Sequence, residues 1–276
     1  MQIGAIQNNK TINFQAGLTS KMKSEIRACD VNKITKSIIN NNIAADFKNN
    51  KVLAWCTLKS FEIINFLNKN YGLKLGFPRG VVVEDFRILK NVNPDAEAFC
   101  TTTPMDLYGI DYTIPENVVF INEYPRYTHK NGNFYWDKID EISDMNYENH
   151  LAPTDSFMHV FLHEFSHAIH NTNLLETVGL KSYMDLILKV LDKDFIASFQ
   201  QKYSDMFSVL CPHATTTPYE AVACDLGKRL TQDLDTKTLM PLKNPLLNSP
   251  YVINPIIIVE NEYEKTLRNL FNGKFE

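Results

Sequence analysis

Long apolar runs, paired cysteine spacings and an excess of basic residues are all missing from this chain, and each absence narrows its function. Its 28 lysines and arginines face 32 aspartates and glutamates, for a formal net charge of -4. A nucleic acid or an anionic membrane surface wants a basic face, so neither is an expected partner. The longest apolar candidate, Ile256-Ile257-Ile258-Val259, falls far short of the roughly 20 residues of a membrane span. The opening stretch MQIGAIQNNKTINFQAGLTSKMK has no basic start followed by an apolar block, so a secretory signal peptide is not expected. The 5 cysteines (Cys29, Cys56, Cys100, Cys211 and Cys224) are odd in number, scattered, and never at C-x-x-C spacing. That argues against a disulfide framework or a cysteine-built zinc site, and for reduced thiols in the cytoplasm. Signal-independent export or a trimmed precursor carries the same signature.

What is present reads as an α+β protein with ample apolar content for a core, 44% of 276 residues. Residues 1–20 suggest a loosely held arm. An apolar stripe through Met22, Ile26, Cys29, Ile34 and Ile38 predicts a helix over 21–39. A clearer one, through Leu58, Phe61, Ile64, Leu67 and Tyr71, ends at Gly72. Short β-favouring runs follow: Val81-Val82-Val83, Phe86 with Ile88-Leu89, Ala98-Phe99 and Val118 to Ile121. Pro94, Pro104, Gly109 and Pro115 punctuate them. After Pro153 the pattern is helical almost throughout, with stripes at Tyr183, Leu186, Ile187 and Val190, then Phe195, Phe199, Tyr203 and Met206, then Val259, Tyr263, Leu267 and Leu270. The expected organisation is an α/β lobe over 21–172 ending in the histidine-bearing helix, and a helical lobe over 173–276, together one catalytic unit.

The chemistry is concentrated in His163-Glu164-Phe165-Ser166-His167. Histidines at i and i+4 lie on one helix face a turn apart, so both imidazoles reach a single metal ion. Glu164 points close to the same face and takes a proton from a water without ligating the ion. Phe161, Leu162, Phe165, Ala168 and Ile169 keep the flanks apolar, and Thr154, Asp155 or Ser156 offers a helix start after Pro153. His159 and His170 occupy neighbouring turns. The helical rise puts His159 about 12 Å from His167, and His170 about 10 Å from His163, so both read as outer or core histidines.

A catalytic zinc ion takes three protein ligands and keeps one open position. The extension H-E-x-x-H-x-x-G-x-x-H fails, since His170 stands at the glycine and Asn173 at the third histidine. A deformylase-like pattern fails too, because Cys100 is remote. The better candidate is Glu220, in Thr217-Pro218-Tyr219-Glu220, where Pro218 marks a new helix and Ala223 and Gly227 would let it approach the first. Thr217 with Glu220 also spells a capping box, in which the carboxylate serves only the backbone. Both readings stand. Glu176, His213 and Asp225 are the next candidates, although Glu176 is expected in a loop after a break near Asn171-Thr172-Asn173.

With these residues in place, the sequence resembles the gluzincins, zincin metallopeptidases with two helix histidines and a glutamate on a second helix. The resemblance covers the two helices alone. It implies a zincin-like fold, Zn2+ held by His163, His167 and Glu220, Glu164 as general base, and a peptide or protein substrate. The family often places an acidic residue four positions after the glutamate ligand; Cys224 stands there, and Asp225 is its nearest replacement. Zincins bind substrate along a sheet edge, which points to Asn117–Asn122 as that edge, with a plain core strand as the alternative. Residues 123–152, rich in tyrosine, suggest a lid or substrate wall. His213, Tyr219 and Tyr251 are the available donors to a developing oxyanion. Rival readings are a narrow-specificity effector or toxin-like protease, an inactive zincin-like binding module, and a structural zinc protein. A structural site has no use for Glu164.

Overall fold

A computed structural model describes residues 18–109, 112–123, 148, 152–154, 156–235, 237–252 and 261–275. Helices α1 (Ser20–Ala28) and α2 (Val31–Ile39) replace the single helix expected over 21–39. Asp30 divides them: its side chain accepts from the Lys33 N–H at 3.1 Å and caps α2, while Cys29 turns extended. Leu18 is buried and Thr19 caps α1 through the Met22 N–H, so no loose arm includes them. The rest of that arm, 1–17, lies outside the described residues.

Helix α3 (Lys51–Tyr71) starts at an Asn50 cap and stops at Gly72, whose φ of 68° is the left-handed conformation that ends helices. Among the described residues, four strands form one sheet: β1 (Ala44–Asp46), β2 (Gly80–Glu84), β3 (Ala98–Cys100) and β4 (Val118–Asn122), in the order β1-β2-β4-β3. β1, β2 and β4 run parallel, with Gly80 opposite Ala44 and Val118; β3 is antiparallel, with Phe99 opposite Phe120. Strand alternation splits the side chains between two layers. Val81, Val83, Val119 and Ile121 enter the main core, while Val118 and Phe120 join Phe86, Leu89 and Leu107 on the other face. Phe86–Ile88 is a 3-10 turn, not a strand, because Asp85 accepts from the Arg87 N–H at 3.0 Å and curls the chain.

The second half supplies α4 (His159–Val190), α5 (Lys193–Phe207), a 3-10 turn at Pro212–Thr215, α6 (Pro218–Gln232) and α7 (Glu262–Phe271). The expected break at 171–173 does not occur. Thr172 Oγ1 donates back to Ala168 O at 2.9 Å, and Asn173 Nδ2 donates to Phe271 O at 2.9 Å, so these polar side chains are satisfied without leaving the helix. The kink comes later, at Gly179, where φ is 76°. Glu176 therefore sits exposed on a continuing helix. Asn117 Nδ2 donates to Thr172 Oγ1 at 3.3 Å and ties the sheet to α4. One core runs from Met22 of α1 through Leu67, Val83 and Ile121 to Leu162, Leu226 and Leu270, so the 172/173 boundary falls inside a shared core. The molecule is α+β with a small sheet, and among the described residues no helix is long and apolar enough to cross a membrane.

Candidate metal centre

The helix α4 delivers His163 and His167 one turn apart, their ring centroids 4.8 Å from each other and their planes at 89°. The helix begins at His159, later than Thr154 to Ser156, after Ser156 Oγ accepts from the Met158 N–H at 3.3 Å. Helix α6 packs across this face. A Cβ on Gly227 would stand 3.1 Å from His163 Cα and 3.2 Å from His163 N, inside the carbon contact distance of about 3.5–4.0 Å. Ala223 beside it is fully buried. The small residues do allow the helices to approach as the spacing suggested.

Thr217 starts α6, its hydroxyl accepting from the Glu220 N–H at 3.2 Å, with Pro218 in the first turn. Only this threonine half of the capping box is needed to account for the helix start. The Glu220 carboxylate turns toward α4, with Oε2 3.2 Å from His163 Nε2 and 3.3 Å from His167 Nε2. Donors arranged tetrahedrally around one ion at zinc bond lengths lie about 3.3 Å from each other. Glu220 Oε2, Glu164 Oε2 and His167 Nδ1 are buried without a well-formed hydrogen bond. Such orphans are costly in a folded protein, and a divalent cation between the donors would satisfy the first of them. Imidazole nitrogens and a carboxylate oxygen are donors that a divalent cation such as zinc could take.

His213 joins this cluster. Its Nε2 lies 2.8 Å from Glu220 Oε2, and its ring centroid 5.7 Å from that of His163. Among the described residues, His163, His213 and Glu220 have ligand atoms all within 4.8 Å of one another. His167 stands outside that tightest set but keeps its 3.3 Å approach to Glu220. Sequence spacing offered little for His213. It precedes α6 on an irregular turn, and its only signal was nearness in the chain to Glu220.

The electrostatics follow from this crowding. Burial would raise Glu220, but the facing His167, His163 and His213 imidazoles hold it well below the usual carboxylate range. Glu164 is raised, chiefly by burial, against the pull of His163 and His167. A carboxylate raised toward neutrality is better matched to taking and returning a proton. His213 is pushed up to about 9, chiefly by its contact with Glu220.

The remaining histidines and tyrosines sort themselves. His159 is buried beside His163, its ring 5.8 Å away, and burial depresses it well below its usual value. His170 is fully buried, with Nε2 3.2 Å from Leu270 O and its ring stacked on Phe271, and burial lowers it to about 3. Tyr219 packs between His170 and Phe275. Tyr251 donates to Asp225 at 2.8 Å, as does Tyr263 at 2.7 Å, and Arg229 Nε pairs with the same carboxylate at 2.7 Å. Asp225 is thus the hub of a buried network joining α6 to Tyr251 and α7, and among the described residues its side chain is hydrogen-bonded by Arg229, Tyr251 and Tyr263.

No family model, curated protein or solved structure matches this chain.

Of the two readings of the Asn117–Asn122 run, the core strand is the one observed. Asn117–Asn122 is not a sheet edge, because β4 has β2 on one side and β3 on the other, and every β4 residue is buried. Among the described residues, the edges are β1 and β3. β3 packs against α4, and Cys100 on it is held well above the usual thiol value by burial and by the charges of Glu164 and Glu220. The edge strand Ala98–Cys100 is therefore one that packs against the histidine-bearing helix. Most of the tyrosine-rich segment 123–152 lies outside the described residues.

Proposed function

We propose that this protein is a zinc-dependent metallopeptidase of the gluzincin type, hydrolysing a peptide or protein substrate. The observation that carries the reading is the placement of Glu220 Oε2 3.2 Å and 3.3 Å from the Nε2 atoms of His163 and His167, with Glu164 buried between those histidines in sequence. His163, His167 and Glu220 hold the ion. When bound, zinc supplies Lewis acidity toward a scissile carbonyl and toward water. Glu164 accepts a proton from the attacking water at its carboxylate and returns it to the leaving amine, so its raised affinity for protons serves both transfers. Among the described residues β3 is an edge strand packed against the histidine-bearing helix, and in this reading an extended peptide lies along it. A zincin-like fold is part of the same proposal, supported by a sheet whose edge abuts the H-E-x-x-H helix. The cytoplasm is its proposed location, on the grounds of 5 cysteines that are all free.

A purely structural ion has no need of a base beside its ligands, which favours catalysis over that rival. The test compares wild type with Glu164→Gln for zinc content and for cleavage of a broad peptide library. Zinc is retained and cleavage is abolished. Equal cleavage by the variant would refute the mechanism.

A further inference from the structure

Building on that reading of the centre, we propose that His213 is a fourth protein ligand to the same ion, closing the resting site until it swings away. Glu220 Oε2 has three imidazole nitrogens around it: His213 Nε2 at 2.8 Å, His163 Nε2 at 3.2 Å and His167 Nε2 at 3.3 Å. The oxygen is buried, yet forms a well-shaped hydrogen bond with none of them. Three imidazole nitrogens converging on one carboxylate oxygen are what a shared cation organises; the His163 and His167 spacings match the tetrahedral edge of about 3.3 Å, and His213 at 2.8 Å stands closer still. His213 also belongs to the compact set with His163 and Glu220, all within 4.8 Å of one another.

The mounting of His213 differs from that of the helix histidines. Its side chain is 53% exposed, against 10% for His163 and 7% for His167. It stands on the short turn Pro212–Thr215, anchored by buried Ala214 and closed by the Thr216 hydroxyl donating to His213 O at 2.8 Å. Rotation of its own side chain carries it into solvent, whereas His163 and His167 leave only if α4 moves. A centre with four protein ligands has no open position. Substrate and water then gain the ion only by displacing His213, which makes the resting protein zinc-loaded and latent.

The experiment uses the full-length protein loaded with zinc(II), as wild type, His213→Ala and His213→Asn, with unfolding of the metal-free forms as a folding control. X-ray absorption at the zinc edge counts bound imidazoles, and chelator competition measures affinity. Both variants lose one imidazole, from three to two. Because loss of an outer-shell partner already weakens a metal site roughly 10–100-fold, zinc affinity falls at least about tenfold. Cleavage per zinc-loaded molecule rises, since the displaceable ligand is gone. An unchanged imidazole count in both variants overturns the proposal, and a loss of cleavage with that unchanged count assigns His213 to the transition state instead. A His163→Ala control separates the two levels: wild-type zinc binding there refutes the centre itself, not merely its fourth ligand.

Discussion

Gly227→Ala tests whether the geometry of the centre is set by how closely two helices approach. The new methyl carbon would lie 3.1 Å from His163 Cα, 3.2 Å from His163 N and 3.3 Å from His159 Cε1. Two of these are backbone atoms of α4 and cannot rotate aside. Restoring a carbon contact of about 3.5 Å or more requires the helices to part by about 0.4 Å locally. Alanine in a helix interior is about 1 kcal/mol better than glycine, and overpacking costs about 1–3 kcal/mol. The metal-free protein should therefore lose between about zero and 2 kcal/mol. The effect on zinc is larger, because Glu220 rides on the same helix and metal sites hold their ligand distances to within about 0.2 Å. Zinc affinity should fall about tenfold, a drop comparable to losing an outer-shell partner. Chelator competition and denaturant unfolding of the metal-free form measure the two quantities. A variant about 1 kcal/mol more stable than wild type, with unaltered zinc affinity, would refute the close approach.

Three further outcomes follow from named contacts. Glu220→Ala should abolish zinc binding, whereas Thr217→Ala should keep zinc and cost about 1 kcal/mol in the metal-free protein as a lost cap; the reverse pattern would return Glu220 to a capping role. His170, lowered from 6.5 to about 3 by burial, is neutral in the folded protein, while the unfolded chain takes up a proton below about pH 6.5. Its contribution is complete above that value and is lost as pH falls, by about 1.4 kcal/mol per unit down to about pH 3, hence about 2 kcal/mol at pH 5. His170→Gln should flatten that acid slope in unfolding titrations, and a slope as steep as wild type would count against it. Asp225→Ala leaves Arg229, Tyr251 and Tyr263 without their shared acceptor and should cost about 3–5 kcal/mol of stability. If zinc affinity collapsed in that variant while stability held, Asp225 would be supporting the metal histidines after all.

Where neighbours in the chain determine the outcome, the sequence was sufficient. The i, i+4 histidines share a face because an α-helix repeats every 3.6 residues. Gly72 ends α3 because only glycine takes a left-handed φ without strain, and Thr217 with Pro218 starts α6 for equally local reasons. The runs Val81-Val82-Val83 and Val118 to Ile121 became strands β2 and β4. Where distant groups compete, composition misled. Asn171-Thr172-Asn173 looked like a helix break, but Ala168 O takes up the Thr172 hydroxyl and Phe271 O the Asn173 amide. Asp30 broke a helix whose apolar stripe ran on, because one cap outweighed the pattern.

The direction of a carboxylate and the neighbours of a strand are long-range facts, and those only the tertiary structure decided. Glu220 was ambiguous between cap and ligand because both uses begin with the same first turn, and α4 packing against α6 turned its Oε2 toward the imidazoles. β4 lost its place as an edge when β3 paired antiparallel beside it. His213 is near Glu220 in sequence, but only the 3-10 turn after α5 brings its ring into the same cluster. Helix periodicity sets the two histidines and Glu164 on one element; packing between elements decides what faces them.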